Sequence, residues 1–256
     1  MLVFAQGFSA PKAGNSPQEN DDGCYPLGSL EIDRRVFRCA VADGATESSY
    51  SGPLARMMVA QFRRGRLAPR FWDYTLSLIR QQWAGQVSSK ALAWYATEKA
   101  DHGAFAAFLG LTIWDGVRVP NGGKWRSIAV GDCCVAHIRR DSLLAQFPVD
   151  KSKDFDSRPY LISSKEEANR DLGQHLRIIK GEWQSDDCFL LMTDALACWF
   201  ATRVELGDQP WNVLRDFGAQ ESRETFSSFV ASRRMSGEMK NDDVTLVRVD
   251  VVARPT

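Results

Sequence analysis

Short apolar runs that begin or end at an acidic residue limit the folds that this chain can adopt. Such runs occur in Val41-Ala42-Asp43-Gly44, Ala129-Val130-Gly131-Asp132, Leu190-Leu191-Met192-Thr193-Asp194 and Asp242-Asp243-Val244-Thr245-Leu246. Apolar runs of about four to eight residues bounded by turn residues are typical of strands. A carboxylate at the end of such a strand lies at the edge of a packed sheet. If these edges meet, the pattern predicts a group of oxygen ligands; taken singly, each Asp could simply end a strand.

Oxygen ligands of this kind suit one class of metal ion, the hard divalent cations such as Mg²⁺ and Mn²⁺. These ions polarise phosphate groups and lower the pKa of bound water. The sequence therefore predicts metal-assisted phosphoryl hydrolysis. Carboxylates crowded together without a metal would repel each other and raise their pKa values, so we expect stability as well as activity to depend on the metal.

Length and composition favour a single domain over residues 1–256. Of the 256 residues, 44% are apolar and 25% are charged, as in ordinary globular proteins. With 32 basic and 32 acidic side chains, the bulk charge favours neither nucleic acid nor an anionic membrane as a partner. No apolar run approaches the roughly 18 residues of a membrane span, and the first residues do not resemble a signal peptide. We therefore expect a cytoplasmic protein.

The cysteines and histidines form no recognisable metal motif. The six cysteines lie mostly inside apolar runs without a Cys-x-x-Cys pair, which favours buried free thiols over disulfides or a zinc site. His102, His137 and His175 are widely scattered, so we expect surface or packed histidines.

Two other polar clusters have a structural and a functional interpretation. The serines at positions 48, 49 and 51 have no neighbouring histidine, which favours turns or helix caps over a nucleophile. The basic cluster Arg63-Arg64-Gly65-Arg66 fits a helix end better than a nucleic-acid patch.

Strand-like and helix-like stretches come in blocks rather than in regular alternation. A helix is predicted to open at Ser51 or Gly52 as cap, with Pro53 in its first turn. This grouping predicts a layered α+β domain without a parallel βαβ core. The other expected strands are residues 2–4, 24–32, 35–42, 104–147, 189–193 and 244–252, and the other expected helices are residues 71–99, with a break near Gly85, 209–217 and 219–234.

Residues 148–183 differ from the rest of the chain in their polarity. They include the charged stretches at 150–156 and 165–167. We expect either a surface excursion beside the site, acting as a flap, or an ordinary long loop with a short helix.

Five short phrases occur in order along the chain. They are Asn20-Asp21-Asp22, Ala42-Asp43-Gly44, Val130-Gly131-Asp132-Cys133, Thr193-Asp194-Ala195 and Asp242-Asp243-Val244-Thr245. Together they resemble the phrases of the metal-dependent protein phosphatase (PPM) family, the serine/threonine phosphatases of type 2C. The resemblance implies a four-layer α-β-β-α sandwich, in which two antiparallel sheets are flanked by helices. It also implies a phosphorylated protein substrate, a partner kinase and a role in signalling.

The resemblance implies two Mn²⁺ or Mg²⁺ ions, with a third in some members. Asp43 would bridge two ions, beside the carbonyl of Gly44, and a water activated by both would attack phosphorus. Asp194 and Asp242 would hold the second of these two ions, and together with Asp43 they would be the catalytic residues. The remaining metal ligands implied by the resemblance are Asp21 and Asp22, directly or through water, and Asp132, which with Asp194 matches the place of the third, weaker ion.

The sequence departs from the family pattern in three places. An Arg that grips phosphate is replaced by Pro17, and Lys12 is a candidate substitute. A His after the Asp-Gly phrase is missing, so Glu47 or a metal-bound water would protonate the leaving group. Ala195 replaces a Gly.

We therefore expect a metal-dependent phosphatase of phosphoserine and phosphothreonine in proteins. The alternative is a catalytically weak regulatory or binding module with the same fold. Retention of Asp43, Asp194 and Asp242 favours the enzyme, because a pure binding module does not need all three.

Overall fold

Strands of the computed structural model form two stacked antiparallel sheets. The structure describes residues 1–46, 48, 50–88, 103–116, 121–155, 158–218 and 222–254. The strands of this part of the chain are β1 (Leu2–Ala10), β2 (Gly23–Tyr25), β3 (Gly28–Asp33), β4 (Val36–Gly44), β5 (Phe105–Asp115), β6 (Gly122–Val130), β7 (Cys134–Arg139), β8 (Ser142–Phe147), β9 (Ile162–Ser163), β10 (Arg177–Gln184), β11 (Asp187–Met192) and β12 (Val244–Val252).

Helices cover the outer faces of both sheets. The α-helices of the described residues are α1 (Ser51–Arg63), α2 (Trp72–Ser88), α3 (Leu172–His175), α4 (Asp194–Glu205), α5 (Pro210–Asp216) and α6 (Ser222–Met235). Short 3₁₀ turns occur at Pro17–Glu19, Pro69–Phe71, Ser152–Asp154 and Glu166–Asn169. Within the described residues, no helix is both long and apolar enough to cross a membrane.

The first sheet has the strand order β3-β1-β12-β11-β7-β8, and the second has the order β10-β6-β5-β4-β2 with β9 paired to β5. Alternate residues of each strand point to opposite faces, so each sheet has an inner and an outer apolar face. Leu109, Phe189 and Val247 belong to the buried core between the sheets. The outer face of the first sheet packs against α4, α5 and α6, and that of the second against α1 and α2. The predicted four-layer α-β-β-α sandwich is thus confirmed.

Two early elements differ from the sequence prediction. Residues 24–32, expected as one strand, are split between β2 in the second sheet and β3 in the first, because the chain turns at Pro26–Leu27 to pass between sheets. The N-cap of α1 is Tyr50, which has a φ of 64°, and Ser51 is the first helical residue.

Later elements also differ in their bounds. Helix α2 runs through Gly85 without the expected break, while residues 89–102, with His102, lie outside the described residues. Residues 177–184, mostly inside the expected excursion at 148–183, form β10, which pairs with β6 along its full length. The described residues of this segment that lie outside the main strands are therefore 148–155 and 158–176.

The six cysteines are free thiols, as expected, and Cys39, Cys133, Cys134 and Cys188 are buried. His137 is packed inside the fold, and His175 stacks on Tyr160 with ring centroids 3.6 Å apart.

Candidate functional site

Five of the predicted carboxylates lie at one end of the sandwich, where strands of both sheets stop. Asp43 lies near the end of β4, Asp132 follows β6, and Asp22 precedes β2, all in the second sheet. Asp194 follows β11 and Asp242 precedes β12, which are neighbours in the first sheet. Antiparallel pairing brings these strand ends together, since the end of β11 pairs with the start of β12 and the end of β4 with the start of β2. We refer to these five residues as the carboxylate cluster.

Asp22 is the most deeply enclosed member of the cluster. Its side chain is buried, and the hydroxyl of Thr193 donates to Oδ2 at 3.2 Å. Oδ1 is also buried and has no hydrogen-bond partner among the described residues. Burial raises the pKa of Asp22 well above its usual range, and the nearby charges of Asp243 and Asp194 add to this rise. An ionised Asp22 therefore needs a positive partner.

Mutual repulsion raises the pKa values of the other buried members. Burial and the charges of the rest of the cluster raise the pKa of Asp43 well above its usual range. Burial and the charge of Asp194 raise the pKa of Asp132 to about 7. Burial and the charge of Asp242 also raise the pKa of Asp194. Carboxyl groups whose pKa values are raised by burial and by each other's charges hold protons that a bound cation would displace.

Lys240 is the cation that the structure places beside the cluster. Its Nζ lies 2.8 Å from Oδ2 of Asp242 and 3.7 Å from Oδ2 of Asp194. The hydrogen bond to Asp242 raises the pKa of Lys240. Thr46 donates to Oδ1 of Asp242 at 3.3 Å, so both oxygens of this carboxylate have partners.

Asp21 lies at the margin of the cluster and caps a helix. Its Oδ1 accepts the backbone N–H of Gly52, in the first turn of α1, at 3.0 Å. An anion is favoured at a helix N-terminus, where backbone N–H groups lack partners within the helix. Burial raises the pKa of Asp21, while the Gly52 N–H opposes that rise.

Two glycines allow the loops around the cluster to approach closely. Gly44 ends β4, and a Cβ there would lie 2.7 Å from the carbonyl oxygen of Asp21 and 2.9 Å from the carbonyl carbon of Ser51. Gly131 has a φ of 90°, and a Cβ there would meet the Cβ of Ala107 at 2.6 Å. Any larger residue at either position would push the adjacent Asp away from the cluster.

Several residues that support the site were missed by the sequence analysis. The carboxylate of Asp243 accepts the backbone N–H groups of Lys12 at 2.7 Å and Asp21 at 2.8 Å, which fixes the loop that carries Asp21 and Asp22. Arg234 on α6 donates to the carbonyls of Pro11 and Asp242. Asp243 is part of a recognised phrase, but no role was assigned to it. Arg234 and Lys240 lie outside the phrases, and their contacts depend on how α6 and the following loop fold over the site.

The departures from the family pattern also have positions in the structure. Pro17 lies exposed in the first 3₁₀ turn. Arg56 on α1 is the arginine beside the acidic pair: its Nη1 donates to the carbonyl of Asn20 at 3.2 Å, and its charge acts on Asp21. Ser48 donates to the carbonyl of Ala45 at 3.0 Å, as a turn residue does. Glu47 lies outside the described residues.

The donor atoms of the cluster suit hard divalent cations. All are carboxylate oxygens, one of them is buried without a partner in the described residues, and four of the five groups have raised pKa values. No three Asp, Glu, His or Cys side chains in the described part of the chain already converge on one metal position. The cluster thus fits such ions in chemistry and burial, and its side chains would turn inward to bind them.

Comparisons with known proteins bear on the family and the fold. The family model described as "Protein phosphatase 2C" matches residues 15–240. No curated protein shows significant sequence similarity to the chain.

Solved structures of several phosphatases share the fold. The catalytic domain of the serine/threonine protein phosphatase PstP, in complex with two manganese ions, is 15% identical, with a TM-score of 0.60 over 98% of this chain and 100% of that chain. The Mycobacterium tuberculosis serine/threonine phosphatase PstP/Ppp is 15% identical, with a TM-score of 0.58 over 98% of this chain and 100% of that chain. RsbX in complex with magnesium is 15% identical, with a TM-score of 0.51 over 97% and 94%.

At these identities the structural likeness shows the fold alone. The family model, in contrast, covers most of the chain and includes four of the five cluster positions, all except Asp242. The chain belongs to the protein phosphatase 2C family.

Proposed function

We propose that this protein is a metal-dependent hydrolase that removes phosphate from phosphoserine and phosphothreonine in proteins. The observation that carries the proposal is the carboxylate cluster: five Asp side chains at one end of the sandwich, with raised pKa values at four of them. Membership of the family supports the reaction class. The manganese and magnesium ions bound to PstP and RsbX support Mn²⁺ or Mg²⁺ as the cofactor.

The proposed ligands are the residues that the resemblance suggested. We propose that Asp43 and the carbonyl of Gly44 would be ligands of two ions, and that Asp194 and Asp242 would hold the second of these ions. Asp21 and Asp22 would contribute from the loop that precedes β2. Asp132 and Asp194 would hold a third, weaker ion. Such ions, when bound, polarise the phosphoryl group and lower the pKa of water.

The chain's own residues orient these ligands. The hydroxyl of Thr193 fixes Oδ2 of Asp22, while Oδ1 is buried without a hydrogen-bond partner among the described residues. Asp243 fixes the backbone of Asp21, and Arg234 holds the carbonyl of Asp242. These contacts would hold one oxygen of Asp22 and the backbone of Asp21 and Asp242 in place while the remaining side chains turn toward the ions.

Residues 148–176 are proposed to act as the flap of this domain, which we take to span residues 1–256. The carbonyl of Val149 accepts from the thiol of Cys134 at 3.4 Å, just after Asp132. A Cβ on Gly131 would lie 3.5 Å from the Leu161 side chain. The segment thus lies beside the cluster, where it would contact a bound protein. A cytoplasmic location, a partner kinase and a role in signalling belong to the same proposal.

The experiment that tests the function is hydrolysis of an aryl phosphate and of a phosphothreonine peptide with added Mn²⁺. Turnover should disappear in a chelator and return with Mn²⁺, and Asp43→Asn should abolish it. Asp141→Asn, at an exposed turn away from the cluster, is the matched control and should keep full activity. Turnover that survives complete removal of divalent ions would overturn the metal-dependent mechanism.

A second candidate is a regulatory module of low activity, favoured by the ion pairs of Lys240 with two cluster members. In that case Mn²⁺ binding by calorimetry would be weak or absent while the fold remains intact. Stoichiometric Mn²⁺ binding with turnover would exclude this candidate.

A further inference from the structure

A groove lined by arginines lies along α1, beside the carboxylate cluster. It has a volume of about 440 Å³ and is lined by Arg56, Arg63 and Arg64 together with Tyr25 and smaller side chains. No acidic residue lines it. We refer to this feature as the arginine groove.

The three arginines are exposed, and only Arg56 has a carboxylate, that of Asp21, acting on its charge among the described residues. None of them forms an ion pair with a carboxylate in the described part of the chain. Arg63 instead lies over the ring of Tyr25, with its guanidinium carbon 4.0 Å from the ring centroid. This cation–π contact holds the guanidinium in place while its N–H groups remain able to donate.

The same arginines border a second depression, and further positive charge lies beyond the end of α1. A second depression of about 320 Å³ shares Arg56, Ala60 and Arg64 with the first, so residues at i, i+4 and i+8 form the ridge between them. Beyond the end of α1, the guanidinium of Arg38 packs against Gly65. Burial and the charge of Arg126 lower the pKa of Arg38, which shows that positive groups are crowded here.

The groove begins at the candidate site. Arg56 lies next to Asn20 and Asp21, at the start of the loop that carries Asp22. Arg64 follows eight residues later on the helix, which at 1.5 Å per residue is a distance of about 12 Å along the axis. An extended peptide rises about 3.3 Å per residue, so the same distance spans roughly three to four residues of substrate.

We propose that the arginine groove binds an anionic side chain three or four positions from the phosphorylated residue, so that the preferred substrates are phosphoserine and phosphothreonine segments with nearby acidic residues. This inference rests on the proposed function. Guanidinium groups form paired hydrogen bonds with carboxylates and phosphates, which matches the groove in charge and in shape. The bulk charge of the chain is zero, so this local excess of positive charge is specific to one face.

The test compares phosphothreonine peptides that differ in one residue. A reference peptide has Gln at the positions three and four residues before and after phosphothreonine. Test peptides carry Glu on one side or the other, and one further peptide carries phosphoserine on the side that Glu favours. We expect wild-type kcat/KM to be about fivefold or more higher for one of the Glu peptides than for the reference.

The Arg63→Gln/Arg64→Gln double variant should remove this preference and leave turnover of the reference peptide and of an aryl phosphate within about twofold. Arg66→Gln is the matched control, because Arg66 is exposed in the same basic cluster but does not line the groove. If kcat/KM rises more with the phosphoserine peptide than with the Glu peptide, the groove binds a second phosphate group. If it rises more with the Glu peptide, the groove binds a carboxylate. The proposal would be overturned if wild-type kcat/KM were the same for all peptides, or if the double variant lost kcat/KM equally for all of them.

Failure of the proposed function is distinguishable from failure of this inference. If the wild type hydrolyses none of these substrates, fluorescence anisotropy of the labelled Glu and Gln peptides still measures their binding to the protein. Tighter binding of the Glu peptide, lost in the double variant, supports the groove without catalysis. Binding of a single-stranded oligonucleotide as tightly as the Glu peptide would identify a general polyanion surface and contradict substrate recognition.

Discussion

The side-chain ammonium of Lys240 lies 2.8 Å from Oδ2 of Asp242. It also lies 3.7 Å from Oδ2 of Asp194, so one exposed lysine neutralises part of a cluster that is proposed to bind metal. A divalent cation at these carboxylates must displace that ammonium group. Metal binding and the lysine contact therefore compete.

Replacing Lys240 with Met should tighten Mn²⁺ binding. The Lys240 side chain is 66% exposed, so its ion pairs contribute roughly 0.5–1 kcal/mol, and the dissociation constant should fall by about two- to fivefold. Isothermal titration calorimetry measures the change. Lys124→Met, at an exposed position in β6, is the control and should have no effect. Weaker Mn²⁺ binding in Lys240→Met would show that the lysine organises the cluster instead of competing with the metal.

The metal-free protein should lose stability as pH rises from about 4 to 7. Burial and the charge of Asp194 raise the pKa of Asp132 from 3.8 to about 7 in the folded state. A group whose folded pKa is raised stabilises the fold fully below its unfolded pKa, and this contribution is lost as pH rises to the folded pKa. Thermal unfolding in a chelator at pH 4 to 8 measures the effect.

Asp132→Asn should remove part of this pH dependence. At pH 8 the variant should be more stable than the wild type without metal, by on the order of 1–2 kcal/mol, because a buried charge is absent. At pH 4 the two proteins should unfold at similar temperatures. Saturating Mn²⁺ should reduce or reverse the difference at pH 8. A wild type that is already more stable at pH 8 than Asp132→Asn in chelator would contradict the cause assigned to the raised pKa.

Asp187 should stabilise the other end of β11. Arg139 donates to both of its oxygens at 2.8 Å, and Nε2 of His137 lies 2.7 Å from Oδ2. Burial alone would raise the pKa of Asp187, but the hydrogen bonds from Arg139 and His137 lower it to about 2. A depressed pKa contributes stability that is present above the unfolded value and is lost as pH falls from about 4 to 2.

Asp187→Asn should therefore lower the free energy of unfolding by about 3 kcal/mol near pH 7, measured with urea, and flatten the decline between pH 4 and 2. Asp33→Asn is the control, because the ion pair of Asp33 with Arg254 is exposed and should contribute less than about 1 kcal/mol. Equal effects of the two substitutions would mean that burial does not strengthen the Asp187 contacts.

Arg56 is the next residue to test in phosphate binding. Its guanidinium lies beside Asp21, whereas the position expected to carry an arginine holds the exposed Pro17. Arg56→Gln should raise KM for an aryl phosphate by roughly tenfold to a hundredfold, since a hydrogen bond to a charged group contributes about 1.5–3 kcal/mol. Pro17→Arg in the Arg56→Gln background should recover part of the loss. An unchanged KM in Arg56→Gln, with a raised KM in Lys12→Ala, would assign this contact to Lys12.

Much of the fold was predictable because its signals are local. Apolar runs and turn residues predicted most strands, and the order of five acidic phrases predicted the layers that the structure confirms. The split of residues 24–32 between two sheets was not predictable, since both halves have strand character and only tertiary pairing separates them. The edge strand β10 was hidden for a related reason: an edge strand has a half-exposed, polar composition that resembles a surface loop.

The site shows the same division between local and distant signals. The phrases predicted which Asp residues lie at strand ends, and the structure brings five of them together. The phrases did not predict that Asp21 caps α1 or that Lys240 pairs with two cluster members, because both depend on how loops fold over the sheet. The assignment of the acidic residues in these phrases as metal ligands stays a prediction that the experiments above test.

Both sheets contribute to the carboxylate cluster, and this has a consequence during folding. Asp22, Asp43 and Asp132 come from the second sheet, and Asp194 and Asp242 from the first. An intermediate with only one sheet assembled has at most three of these carboxylates, and it lacks the burial that the facing sheet provides. If the proposed function holds, a nascent or partly unfolded chain would not hydrolyse phosphoproteins, and any ion held by carboxylates of both sheets would join the two layers at this end of the sandwich.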